Sequence, residues 1–248
     1  MSLYSPSLCD GIESPEEFLA IYGAIYDYLN RNQALESKID ALLQMGMPQA
    51  DTDEFTESIA EIIYWKVGGT HPVDLSRPSE GDWKIRYQYG EIDVNEVADK
   101  ARKIVSAPED DALLRNSLLG FASVRHMGPV YSITIAHFLS QGRLPIYDKF
   151  AHIAMLSICG QGLAGRKASD CYYSDRYINR YSPASSSAID TIVNRYSAYV
   201  SLAQRVYGLL EKGGVTDGRF SRRVDKALWA YGHLFSESKA TSGKLRIE

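Results

Sequence analysis

The chain has 248 residues, 45% of them hydrophobic and 23% charged, with a formal net charge of −4. That length and balance suit one large globular unit, or two packed lobes, with a sizeable core, and they exclude a disordered chain. No apolar run approaches the roughly 18 residues that cross a bilayer, so a membrane is not an expected partner.

Ser14-Pro15-Glu16-Glu17 reads as a helix start: a Ser cap, Pro at the first helical position, and acids in the first turn. Phe18, Ile21, Tyr22, Ile25, Tyr26 and Leu29 then recur at helical spacing. Leu35, Ile39, Leu42 and Leu43 give a second helix that stops near Gly46 and Pro48. Asp53 to Lys66 gives a third, closed by Gly68-Gly69. Between residues 68 and 92 the pattern is irregular. There Trp83, Ile85, Tyr87 and Tyr89 alternate with Lys84, Arg86 and Gln88, which allows a short strand or a loop with anchored aromatics. Helices follow over Asp93 to Val105 and Pro108 to Phe121. After Gly128-Pro129 an apolar helix covers Val130 to Leu139, a turn covers Gly142 to Pro145, and Asp148 opens a helix reaching Cys159. Residues 160–184 read as a loop rich in Gly, Ser and Tyr. Ser185 to Lys212 is the longest helix, capped by Gly213-Gly214, and a last helix runs from Ser221 to Phe235 before a frayed tail over 236–248.

Met1-Ser2-Leu3-Tyr4 lacks the basic start and apolar stretch of a signal peptide. Cys9, Cys159 and Cys171 are odd in number and widely spaced, which points to reduced thiols and a cytoplasmic location and matches no zinc spacing. His126, His137 and His152 share no ligand spacing either, so no metal and no cofactor are expected. Charge is divided unevenly. Residues 1–158 carry 13 Lys/Arg against 23 Asp/Glu, a balance of −10, and residues 159–248 carry 14 against 8, a balance of +6. A polyanion meets a favourable field only in the C-terminal part.

Residues 115–158 hold the most informative constellation. A helix ends, His126-Met127-Gly128-Pro129 turns the chain, a helix begins at once, and Asp148 follows 18 residues beyond Val130. Two helices joined by a Gly-containing hairpin aim backbone N–H groups outward at the second helix's N-terminus, which is a natural phosphate seat. The segment resembles the helix-hairpin-helix motif and following Asp of the helix-hairpin-helix DNA glycosylase superfamily. His126 and Gly128 fall at the two hairpin glycines of that motif, so one glycine is kept. The lysine of its lyase-type members falls at Val130, which gives no support to amine chemistry. Arg222-Arg223-Val224-Asp225-Lys226-Ala227-Leu228-Trp229-Ala230-Tyr231 and Tyr64-Trp65-Lys66 resemble segments of uncharacterised bacterial proteins that share the hairpin region.

The resemblance implies a mainly α, two-lobed helical fold and a nucleic-acid substrate, DNA in the first place. Asp148 is the implied catalytic carboxylate. It would stabilise the positive charge that builds on the sugar as an N-glycosidic bond breaks, and would orient or deprotonate water. Met127, Gly128 and Val130 are the implied phosphate-binding hairpin, with Lys66 as an added cation. Arg176 and Arg180, interleaved with Tyr172, Tyr173, Tyr177 and Tyr181, offer a stacking and phosphate-binding surface. Each has a plainer reading: Asp148 as a helix cap, Gly128 as a turn residue, Lys66 as a helix-end cation, the tyrosines as packing. Two rival functions stand beside base excision: a nucleic-acid-binding protein without chemistry, and a hydrolase of free nucleosides, which the acidic N-terminal half favours.

Overall fold

The computed structural model describes residues 12, 14–30, 32–68, 74–76, 83–87, 90–105, 110–159, 178 and 185–240. Among them the chain is mainly helical. Its helices are α1 (Pro15–Leu29), α2 (Gln33–Met45), α3 (Asp53–Gly68), α4 (Val94–Ile104), α5 (Asp110–Phe121), α6 (Pro129–Leu139), α7 (Lys149–Ile158), α8 (Ser186–Leu210) and α9 (Arg222–Ala240). Capping side chains place the helix starts. Ser14 Oγ accepts from Glu17 N at 3.1 Å, and Asp93 accepts from Glu96 N at 3.1 Å at the head of α4.

The strands go beyond the one short strand that the alternation allowed. β2 (Lys84–Tyr87) takes the alternating stretch and is the centre of an antiparallel sheet ordered β1-β2-β3, with β1 at Asp74–Ser76 and β3 at Gly90–Asp93. Gly213-Gly214 does more than cap α8. Those residues lead into a two-stranded hairpin, β4 (Val215–Thr216) and β5 (Arg219–Phe220), turned by Asp217 (φ 52°) and Gly218 (φ 74°). Two consecutive left-handed residues are the tight hairpin turn whose twist matches its strands. The last helix continues to Ala240, beyond the expected end at Phe235, and residues 241–248 lie outside the described set.

The chain divides into two compact units. One holds α1, α7, the later part of α8, the β4–β5 hairpin and α9. In it α9 packs against α1 and α7. Tyr231 meets Phe18 and Tyr22 at ring separations of 5.5 and 5.1 Å. A Cβ built on Gly232 would lie 1.9 Å from the Phe150 carbonyl oxygen, so α9 crosses α7 at backbone contact. The other unit holds α2, α3, the sheet, α4, α5, α6 and the first residues of α8. In it Trp65 on α3 meets Phe138 on α6 at 6.1 Å and donates its indole N–H to the buried Glu36 at 2.9 Å. Arg102 on α4 donates to Thr56 Oγ1 at 2.6 Å and lies over Phe55. Ile59, Leu118, Phe121, Ile133 and Phe138 are fully buried there.

Candidate functional site

The connection from α5 to α6 is a hydrogen-bonded turn. Val124 N donates to Phe121 O at 3.0 Å and Met127 N to Val124 O at 3.2 Å. The left-handed residue that reverses the chain is His126, at φ 67°. Among non-glycine residues, histidine is one of those that reach this region more readily. Its ring lies against Gly90, whose own φ is 144° and whose missing Cβ would sit 2.2 Å from His126 Nε2. The hairpin is thereby seated on β3, and only glycine at position 90 leaves room for it.

Gly128 follows in an extended conformation, φ −80° and ψ 174°, which any residue adopts. A Cβ at Gly128 would meet nothing within 4 Å. Neither backbone strain nor crowding inside the chain therefore requires a glycine here. Gly128 is the N-cap of α6 and supplies no side-chain cap, while Pro129 takes the first helical position. Its carbonyl accepts from Tyr131 N and Ser132 N at 3.1 and 3.2 Å. The N-terminus of α6 thus has no side-chain cap from residue 128. Met127, expected at this surface, is buried at 4% exposure, so only its backbone is placed to act; Val130 is half-buried.

Beside the hairpin a cleft of about 280 Å³ is lined by Gly90, Glu91, Asp93, Glu96, Val124, Arg125 and His126. Its carboxylates are answered locally. Glu91 is held by Arg86 at 2.8 Å and Lys84 at 3.8 Å, and the Arg86 hydrogen bond lowers its pKa. Asp93 caps α4, and Glu96 faces Lys100 at 3.8 Å. The cleft supports the hairpin and sets it beside a mixed-charge rim.

α6 ends in a left-handed cap. Gln141 (φ 52°) donates its N–H to Phe138 O, and Gly142 (φ 84°) donates to His137 O, both at 2.9 Å. His137 Nδ1 lies 2.6 Å from Leu144 O and acts as donor to that carbonyl. Ser140 Oγ accepts from Leu144 N at 3.1 Å. These buried bonds fix the connection that leads to Asp148.

Asp148 is half-buried at the N-cap of α7, and its Oδ1 accepts from Phe150 N at 2.8 Å. The flanking residues staple the helix start: Tyr147, just before the cap, meets His152, four residues after it. Their polar atoms, Tyr147 Oη and His152 Nδ1, are 3.4 Å apart, and Tyr199 on α8 closes against both rings at 4.9 and 5.3 Å. Burial, with the nearby Tyr207, Asp225 and Asp148 charges behind it, raises the Tyr199 hydroxyl well above its ordinary pKa. Asp225 forms an ion pair with Arg222, which also donates to Tyr26 Oη at 3.1 Å.

Lys66 is in the last turn of α3, with its ammonium 6.0 Å from the Trp65 ring centre. The Trp65–Phe138 contact puts that turn beside the C-terminal end of α6. Phe138 lies nine residues past Pro129, or about 13 Å along the helix axis at 1.5 Å per residue. The fold therefore does not bring Lys66 to the hairpin. Arg176 and Arg180, and the tyrosines interleaved with them, lie outside the described residues. Sequence analysis quoted Lys226 and Trp229 only within the run of residues 222–231 and passed over Lys149 and His233. Trp229 and His233 stack at 4.8 Å with an interplanar angle of 8°. The spacing of 226, 229 and 233 along one helix face was the available signal.

Among the described residues no group of three His, Cys, Asp or Glu could hold a metal ion, and no helix is long and apolar enough to cross a membrane. Cys159 is a free, half-buried thiol. No family model, no curated protein and no solved structure matches the chain.

Proposed function

We propose that the protein binds nucleic acid through the Gly128 hairpin and hydrolyses an N-glycosidic bond with Asp148 as its carboxylate, on a helical fold of the helix-hairpin-helix DNA glycosylase type. The observation that carries this reading is Gly128 itself. The turn's left-handed residue is His126, and the space above Gly128 is open, so the glycine is not explained by the needs of the turn. Pro129 has no N–H and Tyr131 N and Ser132 N already donate to the Gly128 carbonyl, so a Cβ-free start without a side-chain cap leaves a phosphate room to approach the Val130 N–H. The part assigned to Asp148 is chemical: its charge favours the cation that develops on the sugar, and water takes the place of the departing base.

A second reading, hydrolysis of a free nucleoside, is favoured by charge. The unit that bears the hairpin holds 12 Lys/Arg against 18 Asp/Glu, a balance of −6, which opposes a long polyanion. A base-release assay on abasic-site-sensitive oligonucleotides and on free nucleosides separates the two. Under either, Asp148→Asn keeps the cap and lowers turnover by about 10²–10³-fold, the usual loss for a preorganised charge-stabilising group. An established release activity that survives Asp148→Asn undiminished removes the proposed mechanism.

A further inference from the structure

We propose that Lys149, Lys226, Trp229 and His233 form a strip that binds single-stranded nucleic acid, with phosphates at the two ammonium groups and a base on the Trp229–His233 stack. The proposal rests on the nucleic-acid reading above and adds the strand state and a second contact region to it. All four residues belong to the unit that bears Asp148, and each is partly exposed.

Residues 226, 229 and 233 recur at i, i+3 and i+7 on α9 and so share one face. Phe150, at the start of α7, sets its ring edge-on against both Trp229 and His233, at 5.9 and 4.7 Å. Those contacts hold the Trp–His pair in its near-parallel geometry from below. Lys149 Nζ lies 4.4 Å from the Phe150 ring centre and Lys226 Nζ 5.6 Å from that of Tyr26, and both of those rings pack edge-on against Trp229, Tyr26 at 5.4 Å. Flat rings between cations are the combination that binds a strand whose bases are unpaired.

Charge and chemistry agree on the occupant. The unit with the strip holds 15 Lys/Arg against 13 Asp/Glu, a balance of +2, against −6 for the other unit. A duplex keeps its base faces stacked internally and offers the strip only phosphates. A single strand offers both phosphates and base faces, so the aromatic pair contributes to the single strand alone.

The test is fluorescence anisotropy with a short labelled oligothymidylate, alone and annealed to oligoadenylate, across a salt titration. The wild-type chain is compared with Lys149→Gln, Lys226→Gln, Trp229→Ala and the hairpin variant Gly128→Glu, each checked for helix content by circular dichroism. The wild-type chain should bind the single strand about tenfold or more tighter than the duplex, and Trp229→Ala should remove about 5- to 100-fold of that affinity. Each Lys→Gln change should lower the salt slope by about 0.7, one phosphate's share on a single strand. The two lysine variants keep the test open should Trp229→Ala fail to fold. Equal or tighter binding of the duplex overturns the strip. So does single-strand binding that Gly128→Glu weakens while both lysine variants leave affinity and salt slope unchanged, an outcome that keeps the hairpin reading. Absence of binding to either probe overturns both.

Discussion

Replacing Gly232 by alanine should destabilise the protein although alanine is the better helix former. The added Cβ would lie 1.9 Å from the Phe150 carbonyl oxygen, 2.5 Å from its carbon and 3.0 Å from Phe150 Cα. All three are backbone atoms, so no side chain can swing away. The helices must separate by more than 1 Å, roughly the shortfall from an ordinary van der Waals contact. Overpacking of a well-filled core costs about 1–3 kcal/mol, and the rigid backbone puts this case at the upper end. Against that stands the gain of about 1 kcal/mol for Gly→Ala within a helix. The net is a loss of about 2 kcal/mol, or a fall in Tm of about 4–8 °C for a chain of this size. Gly208 in α8 is the control, because a Cβ there meets nothing within 4 Å. Gly208→Ala should stabilise by about 0.5–1 kcal/mol. Urea unfolding followed by circular dichroism reads both. If Gly232→Ala is as stable as Gly208→Ala, the close crossing of α7 and α9 is wrong.

The buried tyrosines give a prediction at high pH. Burial raises the hydroxyls of Tyr199 and Tyr207 well above their ordinary values, and the neighbouring Asp225 adds to this at Tyr207. The folded chain then keeps protons that the unfolded chain releases near pH 10, so stability from these groups is intact below about pH 10. It falls above that by about 1.4 kcal/mol per pH unit for each; a flat urea midpoint between pH 9 and pH 11.5, roughly the window set by that reference value, would contradict it. Burial raises the Cys159 thiol as well, with Arg205 partly opposing, so its alkylation near neutral pH should be slower than that of a free cysteine and should speed up on unfolding in urea. At Asp148, Asn should hold stability close to wild type while Ala loses about 1 kcal/mol through the missing bond to Phe150 N, measured by the same urea assay.

Helix starts were legible at Ser14 and Asp148, because a cap is a local device of three or four residues, but the Asn32 cap of α2, which accepts from Leu35 N at 3.1 Å, went unread. The sheet was only partly legible. β2 lies within the alternating stretch from Trp83 to Tyr89, but β1 has only three residues and β3, Gly90-Glu91-Ile92-Asp93, only one apolar side chain, so neither shows a period of two, and pairing with β2 is what makes them strands. The β4–β5 hairpin carried its own signal in Asp217-Gly218, which the preceding Gly213-Gly214 pair obscured by ending α8 convincingly on its own. The Trp229–His233 stack was hidden for a different reason. Helical spacing puts the two side chains on one face, but their parallel setting depends on Phe150 from another helix.

The hairpin shows how a single backbone angle changes what a residue means. Read along the sequence, His126 is a missing glycine and Gly128 the turn residue that survived. In the structure the assignments are exchanged. His126 takes the left-handed turn at φ 67°, at a cost of roughly 1–2 kcal/mol, and packs its ring where Gly90 leaves space. That accommodation comes from a residue 36 positions earlier in the chain, and no local pattern could reveal it. Once His126 makes the turn, Gly128 has no structural duty left that alanine or serine would fail, and serine would cap α6 better. A residue that the fold alone does not need, set at an open helix start, is where contact with an outside ligand is the economical explanation. Gly128→Ser is therefore the sharper test of the two functions a glycine can serve here: it should raise stability by a few tenths of a kcal/mol, the usual difference between a serine and a glycine cap, while weakening any binding that depends on backbone approach. A variant that gains stability and binds oligonucleotide as before would return Gly128 to the status of an ordinary loop residue.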